Sequence, residues 1–395
     1  MKLSSVPYSQ NFVFRDLLSA SCNKLLSDTK LIQQSASGHI IYSPIAQKIK
    51  KNIETIFLRY AQQYGFNEIL FPVLMDKKLL DVSGKIEEFA QEFYSISDSR
   101  NNLLVSPTTE ERMIDFVKNS GILSYKNLPM RFSQISNVYR NLKRAEGLYK
   151  SKEISCVVLT SFDKNKESYL QTIEDFKAVC DKSFADMGIQ TFYVQDNESG
   201  AIEYMYNTEL ADRPLEKSII NNFGNANEFA DKAAYGSLSM GYPFHQSDRF
   251  DLFFVDNAGK RQRPFMGTFG IGTQRCIHNL FEKAKNGERQ AFTKSVRPFD
   301  VGIITVGVGS DNNLVKELSD KLNSMQLLYC IDDRNLSVKD KMQFSEFFSI
   351  PSRILIGKKE LDTNSYSVKL LDSDTTNSLN LSETLGIITK LAMER

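Results

Sequence analysis

The sequence predicts an α+β domain built on an antiparallel sheet, followed by a smaller α/β domain. Three observations carry that reading. Residues 132–140 and 153–160 alternate apolar and polar positions around a charged loop, the pattern of a long antiparallel hairpin. The segment Gly267-Thr268-Phe269-Gly270-Ile271-Gly272-Thr273-Gln274-Arg275 has strand character and runs directly into an amphipathic stretch at 276–282. From Phe299 onward, short apolar strands alternate with helices, as in an α/β domain with a largely parallel sheet. The change of pattern near 285–298 places the first domain at 1–290 and the second at 297–395.

The elements follow in order. Residues 44–64 carry Ile45, Ile49, Ile53, Ile56, Phe57 and Tyr60 at helical spacing, and Gly65 ends that helix. Residues 66–74 read as a strand with Pro72 inside it, and a proline is tolerated only where its missing N–H costs nothing, at an edge or an interface. A short helix is expected near 77–82 and a strand over 103–106. Pro107-Thr108-Thr109-Glu110-Glu111 opens a helix with a capping pattern. After the hairpin, a helix over 165–187 presents Tyr169, Leu170, Ile173, Phe176, Val179 and Phe184, stops at Gly188, and leads into a strand at 191–194. The polar stretch 196–235 has no readable pattern. Residues 249–255 alternate as a strand and 256–259 form a turn. In the second domain, strands are expected at 299–306, 327–331, 353–357 and 366–371, with helices at 313–325, 339–348 and 382–393.

Composition narrows the function classes. The chain has 395 residues, 41% hydrophobic and 25% charged, an ordinary globular balance. It has no apolar run of about 18 residues, the length needed to span a membrane, and its first residues lack an apolar signal core. A cytoplasmic protein is expected, with an organellar address left open. Five scattered cysteines, odd in number and without a Cys-x-x-Cys pair, argue against a disulfide framework or a zinc site. Only His39, His245 and His278 are available for histidine chemistry. The net charge of +1 does not announce a nucleic-acid binder. Arg140, Lys143, Arg144, Lys150 and Lys152 form a local basic cluster that on charge alone reads better as a solvated loop than as a nucleic-acid contact.

Gly267, Gly270 and Gly272 let a backbone lie close to a flat or crowded neighbour, and Arg275 offers a planar cation that binds phosphate bidentately. Plain packing explains such a strand when it stands alone. Here it follows Pro72, the Thr108-x-Glu110 helix opening and the Arg140 hairpin, and that order resembles the class II aminoacyl-tRNA synthetases, most of all the prolyl-tRNA synthetases without an editing insertion. Residues 65–74 are similar to motif 1, 128–140 to motif 2 and 266–275 to motif 3; Leu80-Asp81-Val82-Ser83-Gly84-Lys85 resembles the turn after motif 1. Residues 331–334 and 350–357 resemble the family's anticodon-binding domain.

The resemblance implies ATP-dependent activation of proline and transfer to tRNA(Pro). Carboxylate attack on the α-phosphate builds negative charge on phosphate oxygens, so fixed cations serve better than a protein nucleophile. Arg140 would face the α-phosphate and Arg275 the leaving phosphates, while Gly270 and Gly272 would admit the nucleoside. Glu110 would hold the substrate ammonium with Thr108 as hydrogen-bonding partner, Mg²⁺ would neutralise the triphosphate, and Pro72 would lie at a homodimer interface.

The chain also departs from that pattern. Leu142 stands where the family has a glutamate that reads the adenine amino group, making motif 2 degenerate. Lys150 and Lys152 replace arginines, Val157-Val158 replaces a Lys-Asp pair, and Gly236-Ser237-Leu238-Ser239 stands for a Gly-His-x-Phe stretch. Residues 297–395 carry 12 Lys and Arg against 14 Asp and Glu, a balance that does not favour a polyanion. Two other readings therefore stay open: a catalytically altered paralogue that binds tRNA or regulates, and an enzyme that activates a different acid.

Overall fold

The computed structural model describes residues 1–6, 20–88, 92–96, 102–121, 123–195, 201–208, 210, 235–243 and 246–393. The polar stretch 196–235 lies outside these residues except for 201–208, 210 and 235, and so does His245. The described chain groups into two compact units: residues 1–34, 41–52 and 280–395, and residues 35–40 and 53–279.

The chain opens with α1 (Cys22–Asp28), the hairpin strands β1 (Ile32–Ala36) and β2 (His39–Tyr42), and α2 (Pro44–Gln63). The expected apolar row of α2 is buried at Ile45, Ile49, Ile53, Ile56 and Phe57. The expected strand over 66–74 is instead broken into β3 (Asn67–Glu68) and β4 (Leu74–Asp76), with the residues before and after Pro72 in neither. Proline donates no ladder hydrogen bond and restricts its predecessor, so one strand becomes two that join different sheets. Next come α3 (Lys78–Ser83), α4 (Lys85–Glu88), β5 (Tyr94–Ser95), β6 (Leu103–Val105), α5 (Glu110–Asn119) and β7 (Leu123–Ser124).

The predicted hairpin is present as β8 (Met130–Tyr139) and β9 (Glu153–Asp163), antiparallel, with Tyr139 opposite Glu153 and Gln134 opposite Val158. The helix α6 (Lys166–Met187) starts at Asn165, whose side chain accepts from the Ser168 N–H, and ends at Gly188 in the left-handed conformation. Tyr169, Ile173, Phe176, Val179 and Phe184 are buried as expected, but Leu170 is exposed. It sits about 100° around the helix from Tyr169, which takes the core side.

The strands β10 (Phe192–Gln195), β11 (Ile202–Asn207) and β12 (Tyr235–Pro243) precede β13 (Phe254–Val255), β14 (Arg261–Gln262) and β15 (Phe265–Gly272), and β15 feeds α7 (Thr273–Lys285) without a loop. The strand expected at 249–255 shrinks to β13. Residues 246–252 satisfy their backbone through turn hydrogen bonds, Phe250 N–H to Gln246 and Leu252 N–H to Ser247, with Asp251 left-handed. The alternation of Phe250, Leu252 and Phe254 reflects burial of all three rather than a ladder. The main sheet has the order β10-β11-β12-β15-β9-β8-β3 and is antiparallel except at the β3–β8 edge.

The C-terminal portion contains β16 (Val301–Val306), α8 (Asn313–Ser324), β17 (Tyr329–Asp332), α9 (Val338–Phe347), β18 (Ser352–Gly357), α10 (Lys358–Thr363), β19 (Tyr366–Leu370), β20 (Thr376–Leu379) and α11 (Leu381–Met393). Every strand and helix expected there forms. Its sheet, ordered β17-β16-β18-β19-β20, is less parallel than expected: β16 pairs in parallel with β17 and β18, whereas β18–β19 and β19–β20 are antiparallel. The reason is connection length, since parallel neighbours need a helical crossover and β19–β20 are joined by a short turn. Inside this unit Arg334 makes a two-pronged contact with Asp332 (2.8 and 2.6 Å), and Lys341 donates to the Thr305 and Asp332 carbonyls. All three side chains are buried, so Asp332 and Arg334 of the 331–334 segment face the interior, whereas Asp333 is half-buried and accepts from Ser4. The five cysteines are buried and none is in a disulfide.

Candidate functional site

The main sheet carries a cavity of about 460 Å³ on the face crossed by β8, β9, β15 and β12. Four expected residues meet in its lining: Arg140 at the end of β8, Gly270 and Gly272 on β15, and Arg275 in the first turn of α7. The direct β15-to-α7 junction sets Arg275 three residues past Gly272, one helical turn above the strand end. Its guanidinium stacks on the Tyr149 ring, 4.8 Å from the centroid. Its Nε–H donates to the Tyr149 carbonyl at 3.1 Å, and its Nη1 donates to the Ser237 carbonyl. These are neutral partners, so the charge is oriented without being cancelled. Arg140 donates from Nε to the Pro107 carbonyl at 3.1 Å.

The glycines of β15 serve different ends. A Cβ on Gly267 would come within 2.8 Å of Phe269 and Tyr169 side-chain atoms, so that glycine serves packing. A Cβ on Gly270 would meet nothing within 4 Å, because the position opens onto the cavity. Packing and close approach of a ligand are thus divided between two residues of one strand.

The facing wall comes from the hairpin and its loop. Val138, Leu142, Leu148, Ile154 and Cys156 make it apolar, and Leu142 occupies the lining as the sequence comparison of motif 2 implies. Lys150 also lines the cavity, whereas Lys152 turns to the Asn141 side chain, its Nζ donating at 2.8 Å. Val157 and Val158 are buried in β9. Ser237 and Ser239 of β12 reach the lining.

Thr108 and Glu110 are not in that lining. They begin α5 beside it, tied to it through the Pro107–Arg140 hydrogen bond. The expected cap is replaced: Thr109 makes no side-chain cap, and its N–H donates instead to Glu110 Oε2 at 3.1 Å. Thr108 Oγ1 donates to Glu111 rather than to Glu110. Glu110 Oε1 accepts from the Tyr242 hydroxyl at 3.1 Å. Lys85 Nζ lies 3.0 Å from Glu111 Oε1 and 3.8 Å from Glu110 Oε2. Burial opposes ionisation of Glu110, but the Lys85 ammonium, backbone N–H groups and the Tyr242 hydroxyl outweigh it and hold its carboxyl below the ordinary value. Burial and the Glu110 carboxylate together push the Tyr242 phenol upward. An ionised carboxylate is therefore ready-made at the helix start, where the dipole also favours it.

Four contributors escaped the sequence reading. Tyr149 platforms Arg275, and its only signal was an aromatic in a basic loop. Gln274 joins the two walls: Oε1 accepts from Ser151 Oγ (2.7 Å) and the Ser155 N–H (3.2 Å), and Nε2 donates to the Glu153 carbonyl (3.0 Å). Tyr242 lies between the Gly236–Ser239 stretch and the strand expected at 249–255, where no element was expected. Lys85 follows Gly84, which ends α3 in the left-handed conformation (φ +74°), a backbone geometry that favours glycine. That glycine was the available clue.

Among the described residues no carboxylate lines the cavity, and no group of three or more His, Cys, Asp or Glu is arranged to hold a metal. The described residues therefore do not provide a magnesium site of their own. Pro72 stands apart from the cavity, exposed, its carbonyl accepting from Arg112. Beside it Leu70, Val73 and Leu74 are 85%, 50% and 40% exposed.

Comparison with known proteins agrees with this geometry. Residues 93–284 match the tRNA synthetase class II core domain (G, H, P, S and T), and residues 300–391 match the anticodon binding domain. The proline–tRNA ligase of Anaplasma phagocytophilum is 25% identical, over 87% of this chain and 89% of the relative. That of Rickettsia peacockii is 24% identical over 93% and 95%. Among solved structures, Giardia lamblia prolyl-tRNA synthetase in complex with prolyl-adenylate superposes with a TM-score of 0.73 at 18% identity, covering 98% of this chain and 80% of the other. The Cryptosporidium parvum prolyl-tRNA synthetase complexed with halofuginone and AMPPNP gives 0.72 at 17% identity, covering 96% and 78%. With a core and an anticodon-binding domain both matched, and with the cavity formed by the motif 2 and motif 3 segments, this chain belongs to the class II aminoacyl-tRNA synthetases.

Proposed function

We propose that this aminoacyl-tRNA ligase acts on proline: it condenses proline with ATP to the adenylate, releases pyrophosphate, and transfers the prolyl group to tRNA(Pro). The observation that supports this most is the cavity that joins Arg140, Arg275 and the open Gly270 position beside an ionised Glu110. Arg140 would steady the α-phosphate as the carboxylate attacks, and Arg275 the departing pyrophosphate, each through donors fixed before reaction. Glu110 would take the proline ammonium. The Thr108 proton is directed to Glu111, so its oxygen lone pairs remain to accept from the same ammonium. Magnesium would arrive on the triphosphate, held by phosphate oxygens and water.

The catalytic domain is proposed to span 1–290 and the anticodon-binding domain 297–395. The exposed Leu70, Pro72, Val73 and Leu74 would be covered by the same surface of a second copy in a homodimer. Leu142 in the cavity lining favours a second reading, a paralogue that keeps tRNA binding without activation. Amino-acid-dependent ATP–pyrophosphate exchange across a panel of amino acids decides between them. Exchange with proline supports the first reading. Exchange with a different acid only redirects the specificity, and none with tRNA binding retained supports the paralogue.

A further inference from the structure

The start of α5 holds two adjacent carboxylates, Glu110 and Glu111, and one ammonium reaches both. Glu111 is fully buried, and the Lys85 and Glu110 side chains are 14% and 11% exposed. Two like charges this close in a site largely removed from water do not both ionise unless a cation compensates one of them. The compensation is unequal: Lys85 Nζ is 3.0 Å from Glu111 and 3.8 Å from Glu110. The Thr108 hydroxyl adds a second donor to Glu111. Glu110 has the same ammonium at the longer distance and its direct hydrogen bonds come from the Tyr242 hydroxyl and the Thr109 N–H, neutral donors that orient a carboxylate and leave its charge in place. Arg112 on α5 acts on both carboxylates electrostatically, while its Nη1 donates to the Pro72 carbonyl. Arg140 acts on the Tyr242 hydroxyl from the cavity side.

We propose that Lys85 is a positioning residue whose ammonium neutralises Glu111 and thereby reserves the charge of Glu110 for the ammonium group of the amino acid substrate. This rests on the reading that Glu110 binds that group. Gly84 supports the placement, because its left-handed cap on α3 brings Lys85 to the first position of α4 and so to α5. Without Lys85, one proton shared by the two carboxylates would replace it, and Glu110 would lose part of its charge to Glu111. Lys85 is not among the residues that line the cavity, so the effect should fall on one substrate.

The test is pyrophosphate exchange on the full-length protein, with KM measured separately for proline and for ATP. Lys85→Met should raise the proline KM about tenfold or more, the scale of a weakened charge-assisted hydrogen bond, and leave the ATP KM within about twofold. Lys85→Arg should recover most of the loss. The double variant Lys85→Met with Glu111→Gln removes both members of the pair and should bring the proline KM back to within about threefold of wild type, because a neutral pair no longer competes for a proton. An unchanged proline KM in Lys85→Met, an equal rise for both substrates, or a double variant no better than the single one would overturn the proposal. If Lys85→Met alone does not fold, the double variant decides: a near-wild-type proline KM supports the proposal, and a raised one overturns it. Wild-type protein that exchanges with no amino acid would overturn the functional reading, and this inference with it.

Discussion

The nucleotide cavity and the start of α5 lie side by side, yet they handle charge in opposite ways. In the cavity, Arg140, Lys150 and Arg275 share a lining with no carboxylate among the described residues, and Arg275 is held by carbonyls and a ring. At α5, Glu110 and Glu111 are matched inside the protein by Lys85. On the proposed reading a triphosphate would bring negative charge to these side chains, and Arg275 can be held by neutral groups until it arrives. A site for a single ammonium in a buried setting cannot leave two carboxylates waiting; one is settled internally and the other is kept for the ligand.

The sharpest way to break this contrast is Arg275→Ala. Loss of a pre-aimed donor should lower exchange by about 100- to 1,000-fold while the circular dichroism spectrum and the elution volume stay those of wild type. A variant that exchanges normally would remove the β15–α7 junction from the chemistry. Glu110→Gln should come next. It keeps the Tyr242 contact but removes the charge, and the proline KM should rise by about 10- to 100-fold with the ATP KM unmoved. A matched change in both constants would mean that the two regions are not separate.

A smaller effect is expected at the base. An apolar wall rejects a wrong base by only about 10- to 200-fold, so inosine triphosphate should support exchange within that range of ATP. Leu142→Glu should widen the gap by preferring the amino-bearing purine, and a wild-type ratio far above 200 would show that another group reads the base. Gly270→Ala should change stability by no more than about 1 kcal/mol, while the ATP KM rises several-fold; Gly267→Ala should instead lower the melting temperature, since its Cβ meets Phe269 and Tyr169. The least effect concerns pH. The Glu110 carboxyl is held below its ordinary value of 4.5, so its contribution is present above that value and lost only as pH falls through the lower folded value. The proline KM should therefore stay flat between about pH 6 and 8 as far as Glu110 is concerned, and a rise within that window would place its pKa elsewhere.

Much of the nucleotide site was legible in the sequence, because it is built from contiguous strand-to-helix and hairpin segments. Gly270, Gly272 and Arg275 lie within six positions, and Arg140 ends a strand of clear alternation. The antiparallel β8–β9 hairpin and the α6 boundaries followed from period and glycine signals. The site at α5 was only half legible. Glu110 was visible as a helix-start carboxylate, but Lys85 and Tyr242 reach it from α4 and β12 across the fold, and no local pattern encodes such contacts. The strand expected at 66–74 failed for a related reason: composition favoured extension, and Pro72 decided which sheet each half could join.

Gln274 has a mechanical consequence. Its amide ties α7 to Ser151, Glu153 and Ser155 by three hydrogen bonds, all on the return side of the hairpin. The helix that carries Arg275 and the strand that floors the cavity are thus riveted together, and the Arg275 contacts with Tyr149 fasten the end of the loop to the same helix, so a displacement of Arg275 would carry the loop end and the return strand with it.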